Sequence, residues 1–219
     1  MITHSVIIRD LGLQEYNQCW EAMKTFTNQR GPSDIDEIWF LEHPPIFTQG
    51  QNGKSEHLLN PGNIPVIHVD RGGQVTYHGP GQLVVYILID LKRKKINIRE
   101  IVTILEESVI QLLAELNITG IAETKAPGVY VNEKKICSVG LRIRRGCSFH
   151  GLALNVDMDL EPFCRINPCG FSQLEITQLR EFNATMTLKE TANKLIGYLT
   201  QKLGYNKLLT KMGLPYATN

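Results

Sequence analysis

Two side chains have the type and setting for nucleophilic chemistry. The first is Lys135, at the head of an apolar run that ends near Ile143 and follows the turn-forming pair Asn132-Glu133. Strand alternation predicts that Lys135 shares a face with Cys137, Val139, Leu141 and Ile143, and that Ile136, Ser138, Gly140 and Arg142 take the other. An ammonium there has two readings: it snorkels into water from the strand end, or it points into a partly dry pocket and shifts a neighbour's ionisation. The second is Cys169, between Pro168 and Gly170 in an irregular segment. Loops often carry reactive groups, and the glycine leaves room for a carbonyl to approach; the alternative is a loop cysteine without a role. The nucleophilic form of such a thiol is the thiolate, which a nearby cation favours.

A third region is dense in glycine: Arg71-Gly72-Gly73-Gln74, then Gly79-Pro80-Gly81. It matches neither GxGxxG nor GxxxxGK[ST]. Glycine here lets a long, thin ligand lie against the backbone, or it makes two tight turns. His78 beside it is a proton carrier or a locally bonded turn residue. Cys147 with His150, and Cys164 with Cys169, are close in sequence. Their spacing is not that of a structural zinc site, so no metal is expected.

The elements that must position these groups read as an alternation of strands and helices. Val6–Ile8 is a short strand. Leu13, Tyr16, Trp20, Met23 and Phe26 form a helical stripe. Residues 38–41 make a second strand, stopped at His43-Pro44-Pro45, and residues 49–65 read as loop. Residues 66–69 are a strand, and the unbroken apolar run 83–89 predicts a central strand covered on both faces. Asn97 and Glu100 predict a capping box, followed by a face of Ile98, Val102, Leu105, Val109, Leu112 and Leu116. Thr187 and Glu190 open a similar helix carrying Leu188, Leu195, Leu199 and Leu203. Strands at 129–131, 135–143 and 149–156 lie between. No repeat or linker interrupts the pattern, so the expectation is one α/β domain spanning 1–219.

Composition bounds the partners. Lys+Arg is 23 and Asp+Glu 22, a net charge of +1, which gives no support to nucleic-acid coating. No apolar run reaches a membrane span, and Met1-Ile2-Thr3-His4 opens no visible signal peptide. The odd count of five cysteines then favours reduced thiols and a cytoplasmic location. The basic clusters Lys92-Arg93-Lys94-Lys95 and Arg142, Arg144 and Arg145 read as solvated surface, or as a patch that steers an acidic protein.

Six segments, at residues 41–50, 70–82, 127–131, 135–140, 149–155 and 166–170, together resemble the lipoyl(octanoyl) transferases, or octanoyl-acyl carrier protein:protein N-octanoyltransferases. They occur in the family's order. Among them are Leu41-Glu42-His43-Pro44-Pro45, Arg71-Gly72-Gly73-Gln74-Val75-Thr76-Tyr77-His78, Phe149-His150-Gly151-Leu152-Ala153 and Asn167-Pro168-Cys169-Gly170.

The resemblance implies a mixed central sheet flanked by helices, similar to the biotin and lipoate protein ligase catalytic domains. It implies transfer of octanoyl from the phosphopantetheine of acyl carrier protein to a lysine on lipoyl domains. Those domains would belong to 2-oxoacid dehydrogenase complexes and the glycine cleavage H protein. This is the first step of endogenous protein lipoylation, by a monomer without a further cofactor. It makes Cys169 the acyl-thioester residue and Lys135 its partner. The acyl chain is assigned to Arg71, Gly72, Gly73, Gln74, Val75, Thr76, Tyr77 and His78, to Ser138, Val139 and Gly140, and to Gly151, Leu152 and Ala153.

An unperturbed thiol is only about 3% thiolate at pH 7, so complete ionisation contributes only about 2 kcal/mol of catalysis. Positioning and oxyanion binding must supply more, from backbone amides near Gly170 or in the 71–78 loop. Lys135 or His78 would take the acceptor's proton. Burying eight carbons at about 0.8 kcal/mol per methylene would select chain length. Three rivals remain: an ATP-dependent lipoate or biotin ligase, a non-catalytic carrier-binding module, and an amidotransferase between lipoyl-bearing proteins.

Overall fold

A computed structural model describes residues 4–182 and 185–215; Met1–Thr3, read above for a signal sequence, lie outside the described residues. The chain begins with β1 (Ser5–Leu13), α1 (Tyr16–Gln29), β2 (Asp36–Glu42), β3 (Ile46–Gln49), β4 (Val66–His68), β5 (Val75–His78) and β6 (Gln82–Leu88). Next come α2 (Leu91–Lys94), α3 (Ile98–Glu115), β7 (Ile121–Ala122), β8 (Gly128–Val131), β9 (Lys134–Arg144), β10 (Cys147–Asn155), α4 (Leu188–Lys202) and β11 (Lys207–Thr210). Eight strands form a mixed sheet in the order β11-β1-β2-β6-β10-β9-β8-β7, and β4-β3-β5 form a small second sheet. No helix among the described residues is long and apolar enough to cross a membrane.

The unbroken apolar run of β6 is explained by its place. It lies between β2 and β10, and its two faces feed different cores. Leu83, Val85 and Ile87 pack with Ile101, Leu105 and Val109 of α3 and Leu195 and Leu199 of α4. Val84, Tyr86 and Leu88 pack with Cys19, Met23 and Phe26 of α1, together with Trp39 and Leu41 of β2. A third, smaller core of Phe47, Val75, Tyr77, Phe163 and Ile166 holds the small sheet against the segment that leads to Cys169.

Both long helices start at the expected capping boxes, Asn97 with Glu100 and Thr187 with Glu190. Two expectations shift. Leu13 ends β1 and is exposed rather than opening α1, and Ile98 at the first turn of α3 faces solvent. The basic run 92–95 is partly structural: Arg93 reaches buried Asp36 at 2.6 Å, and Lys94 donates to the Leu203 carbonyl at 2.8 Å.

Candidate active site

The hairpin that delivers Lys135 turns on Asn132 and Glu133, both left-handed with φ of 49° and 67°. That pair suits the two-residue hairpin turns whose twist matches the strands. The register between β8 and β9 then slips. Tyr130 pairs with Lys135, but Val129 pairs with Cys137, so Ile136 is the extra residue of a bulge. The slip corrects the expected face. Ile136 and Cys137 both enter the core, and Lys135 lines a cavity with Ser138 and Gly140.

Lys135 is 1% exposed, so it does not snorkel. Its Nζ donates to Cys169 Sγ at 3.1 Å and to the Ala126 carbonyl at 3.3 Å. The ammonium lies 5.2 Å from the Tyr130 ring centroid. Burial works to lower its pKa, but the cysteine sulfur and the Tyr130 phenol outweigh that and leave it above the usual lysine value.

Cys169 is half-buried and adopts φ 56°, ψ 13°, a left-handed conformation that costs a non-glycine residue of order 1 kcal/mol or more. Its surroundings enforce it. The Gly170 and Phe171 amides donate to Asn167 and Pro168, and Asn167 is anchored to the His57 carbonyl at 2.9 Å. The sulfur is thereby held where it meets Nζ.

The cavity, about 340 Å³, lies on the α1 side of the large sheet, between β9, β10 and β6 and the small sheet. Of the sixteen residues expected at the site, fifteen line it; the exception is Tyr77. Alternation along β5 turns Tyr77 the other way, where it packs on Phe47 and Phe163. Glycine is required at Gly151, where a Cβ would lie 2.0 Å from the Val85 carbonyl.

Arg71 is buried without a carboxylate: it donates to the Thr48 carbonyl and hydroxyl and to the Gly72 carbonyl. Burial lowers its pKa. His78 accepts or donates at both ring nitrogens, to Gln82 at 2.7 Å and Thr48 at 3.3 Å. Burial, helped by His43, lowers its pKa to about 3, so it is neutral and engaged rather than a free base.

The sequence reading missed several lining groups. Tyr16 sat on a helical stripe and Tyr86 inside an apolar strand, and their hydroxyls were the overlooked signal. Tyr86 bonds His43 Nε2 at 2.6 Å; burial lowers the His43 pKa to about 4. His150, part of the 149–155 segment but given no role at the site, bonds Asp70 at 2.9 Å, and Trp20 bonds the same carboxylate at 2.7 Å. Among the described residues no group of three or more metal-ligating side chains gathers.

The cavity therefore brings a cysteine sulfur into contact with a buried ammonium on a mixed sheet flanked by helices. Three comparisons bear on that arrangement. Residues 15–200 match the "Lipoyl protein ligase A/B catalytic domain" family. An Octanoyltransferase of Shewanella oneidensis is 60% identical over 207 residues, 94% of this chain and 95% of that protein.

Two solved structures share the fold. A putative lipoate protein ligase from T. acidophilum with bound lipoic acid has a TM-score of 0.75 at 16% identity, covering 95% of this chain and 89% of that one. A biotin protein ligase from Aquifex aeolicus in complex with biotin and ATP has a TM-score of 0.56 at 16% identity, covering 90% and 69%. The chain belongs to the lipoyl protein ligase A/B catalytic-domain family and, within it, to the octanoyltransferases. It is an acyltransferase.

Proposed function

We propose that the chain moves octanoyl from the phosphopantetheine thioester of acyl carrier protein to a lysine of a lipoyl domain, through an acyl-thioester on Cys169. The observation that carries this reading is the 3.1 Å contact between Lys135 Nζ and Cys169 Sγ beside the cavity. In the first half-reaction the sulfur attacks the donor carbonyl. A carbon–sulfur bond forms to Cys169 and the donor's breaks. The departing pantetheine sulfur takes a proton from Lys135.

Acylation removes the charge that held Lys135 protonated, while its burial remains. Its pKa therefore falls, and the neutral amine takes a proton from the acceptor ammonium. The freed acceptor amine attacks the thioester and releases the Cys169 sulfur, with one further proton passing to solvent. The thioester supplies the driving force, so the chemistry needs no nucleotide.

The Gly170 and Phe171 amides are engaged by Asn167 and Pro168, and the Gly72 amide by Leu141, so the oxyanion falls to the stretch at Gly73 and Gln74 with Arg71 close by. The glycine-lined floor across β9, β10 and β6 takes the alkyl chain. Two strand spacings, about 10 Å, suit a medium-length chain. Five free thiols fit a reducing cytoplasm.

Intact-mass spectrometry after incubation with octanoyl-acyl carrier protein tests the reading. One octanoyl adduct is expected, absent from Cys169→Ala. An adduct kept in that variant would refute the assignment. ATP-dependent labelling from free octanoate, unchanged in Cys169→Ser, would establish the ligase reading instead.

A further inference from the structure

Beside the cavity lies a second, open groove of about 580 Å³ that the chemistry above does not use. Its lining includes Ile121, Glu123, Tyr130, Glu133, Phe171 and Leu174. Ile121 and Phe171 are large apolar side chains left 49% and 46% exposed. The groove shares Lys125 and Ala126 with the acyl cavity, and the Ala126 carbonyl accepts from Lys135 Nζ. Phe171 follows Gly170 directly, so the groove runs up to the turn that holds Cys169. It also borders β7, the two-residue edge strand of the large sheet.

We infer that this groove docks the protein acceptor, presenting its lysine to the acyl-thioester. The inference rests on the reading of Cys169 as the acyl carrier and names the partner of that same site. Two features select this occupant. The first is continuity: the groove and the acyl cavity share Lys125 and Ala126, so a lysine from a segment seated on Ile121 and Phe171 has a path past Ala126 toward the sulfur. The second is charge. The groove's lining side chains carry two carboxylates, Glu123 and Glu133, against one ammonium, Lys125. A lysine-bearing segment is drawn to such a surface, whereas the phosphodiester of a pantetheine arm is repelled. The donor arm is left the part of the cavity lined by Asn52 and Gly73, where Arg142 reaches Gln51.

The test separates the two half-reactions with the full chain and the charge variant Glu123→Lys, with Phe171→Ala as a second variant. None of these residues touches the reacting atoms. Both variants are expected to form the acyl-enzyme from octanoyl-acyl carrier protein at the wild-type rate. Both should also transfer octanoyl normally to a lysine amide supplied at high concentration.

Transfer to an unmodified lipoyl domain should fall about tenfold in kcat/KM, and for the charge variant this loss should shrink as salt is raised. Normal transfer to the lipoyl domain in both variants would overturn the groove assignment. Slowed acyl-enzyme formation with intact transfer would also overturn it, and would make the groove the donor's. If wild-type protein forms no acyl-enzyme, the thioester reading fails by itself. The groove is then judged by nuclear magnetic resonance titration with the lipoyl domain. Shifts centred on Ile121 and Phe171 sustain it, and their absence overturns it.

Discussion

Replacing Lys135 with methionine separates what the ammonium does for chemistry from what it does for the fold. Methionine keeps an unbranched chain that fills the same buried path, and it deletes both Nζ contacts. A charge-assisted hydrogen bond contributes roughly 1.5–3 kcal/mol. Complete ionisation of a thiol is worth at most about 2 kcal/mol, so losing the bond to sulfur should slow acyl-enzyme formation about 10- to 30-fold. The second half-reaction should suffer more, because the variant lacks the proton acceptor as well.

Stability should move little or rise. Nζ has a carbonyl and a sulfur as its hydrogen-bond partners; without the ammonium the sulfur can hold its own proton, and Glu106, whose ionisation Lys135 favours, keeps the Gly128 amide, so little buried charge is stranded. Single-turnover mass spectrometry reads the first step, thermal unfolding reads the fold, and transfer from pre-acylated enzyme reads the second step. Acylation within threefold of wild type would refute the argument that the ammonium activates the sulfur. Slow acylation in a variant that unfolds well below wild type would refute the claim that the lysine is held for chemistry rather than packing.

Two further outcomes follow from buried groups. Gly151→Ala would place a Cβ 2.0 Å from the Val85 carbonyl, between β10 and β6 in the middle of the sheet. Backbone on both sides leaves no room to yield, so a loss of about 3 kcal/mol or more is expected in denaturant melts, and an unchanged midpoint would contradict the packing. His43 and His78 are held neutral, with pKa values lowered to about 4 and about 3. Their unfolded values lie near 6.5, so between pH 6.5 and about 4 the unfolded chain binds more protons and stability falls with falling pH. At pH 5 each contributes a loss of up to about 2 kcal/mol. Urea titrations should show that slope, which His43→Gln should reduce; a flat profile from pH 7 to 5 would contradict it.

The parts of the fold legible in the sequence are those set by local chemistry or by a run long enough to average over detail. The capping boxes at Asn97 and Thr187 are four-residue signals and appear where expected. The strand at 82–88 needed only its uninterrupted apolar character to be placed between two helical layers. Nearly all expected site residues meet at one cavity because their segments occur together in one family, an argument no single segment supports. The small sheet, the outward turn of Tyr77 and the groove at Ile121 and Phe171 were not legible. Each depends on which distant strand or loop lies alongside.

The bulge at Ile136 shows why strict alternation fails at the residue where function depends on it. Without it, Lys135 would share a face with Cys137, which packs in the core under α3 and whose pKa burial pushes up to about 12. With it, Ile136 and Cys137 both fill that core and the lysine crosses to the cavity side. The determinant sits on the partner strand. Gly128, at φ 145°, pairs with Ser138, and a Cβ there would lie 2.2 Å from the Cys137 carbonyl and 2.7 Å from Lys135 Cε. Glu106 of α3 fixes the same spot by accepting from the Gly128 amide at 2.8 Å. The Lys135–Cys169 contact therefore depends on a glycine seven positions before the lysine as much as on the two residues that meet. A side chain at 128 would disturb both the bulge and the path of the ammonium.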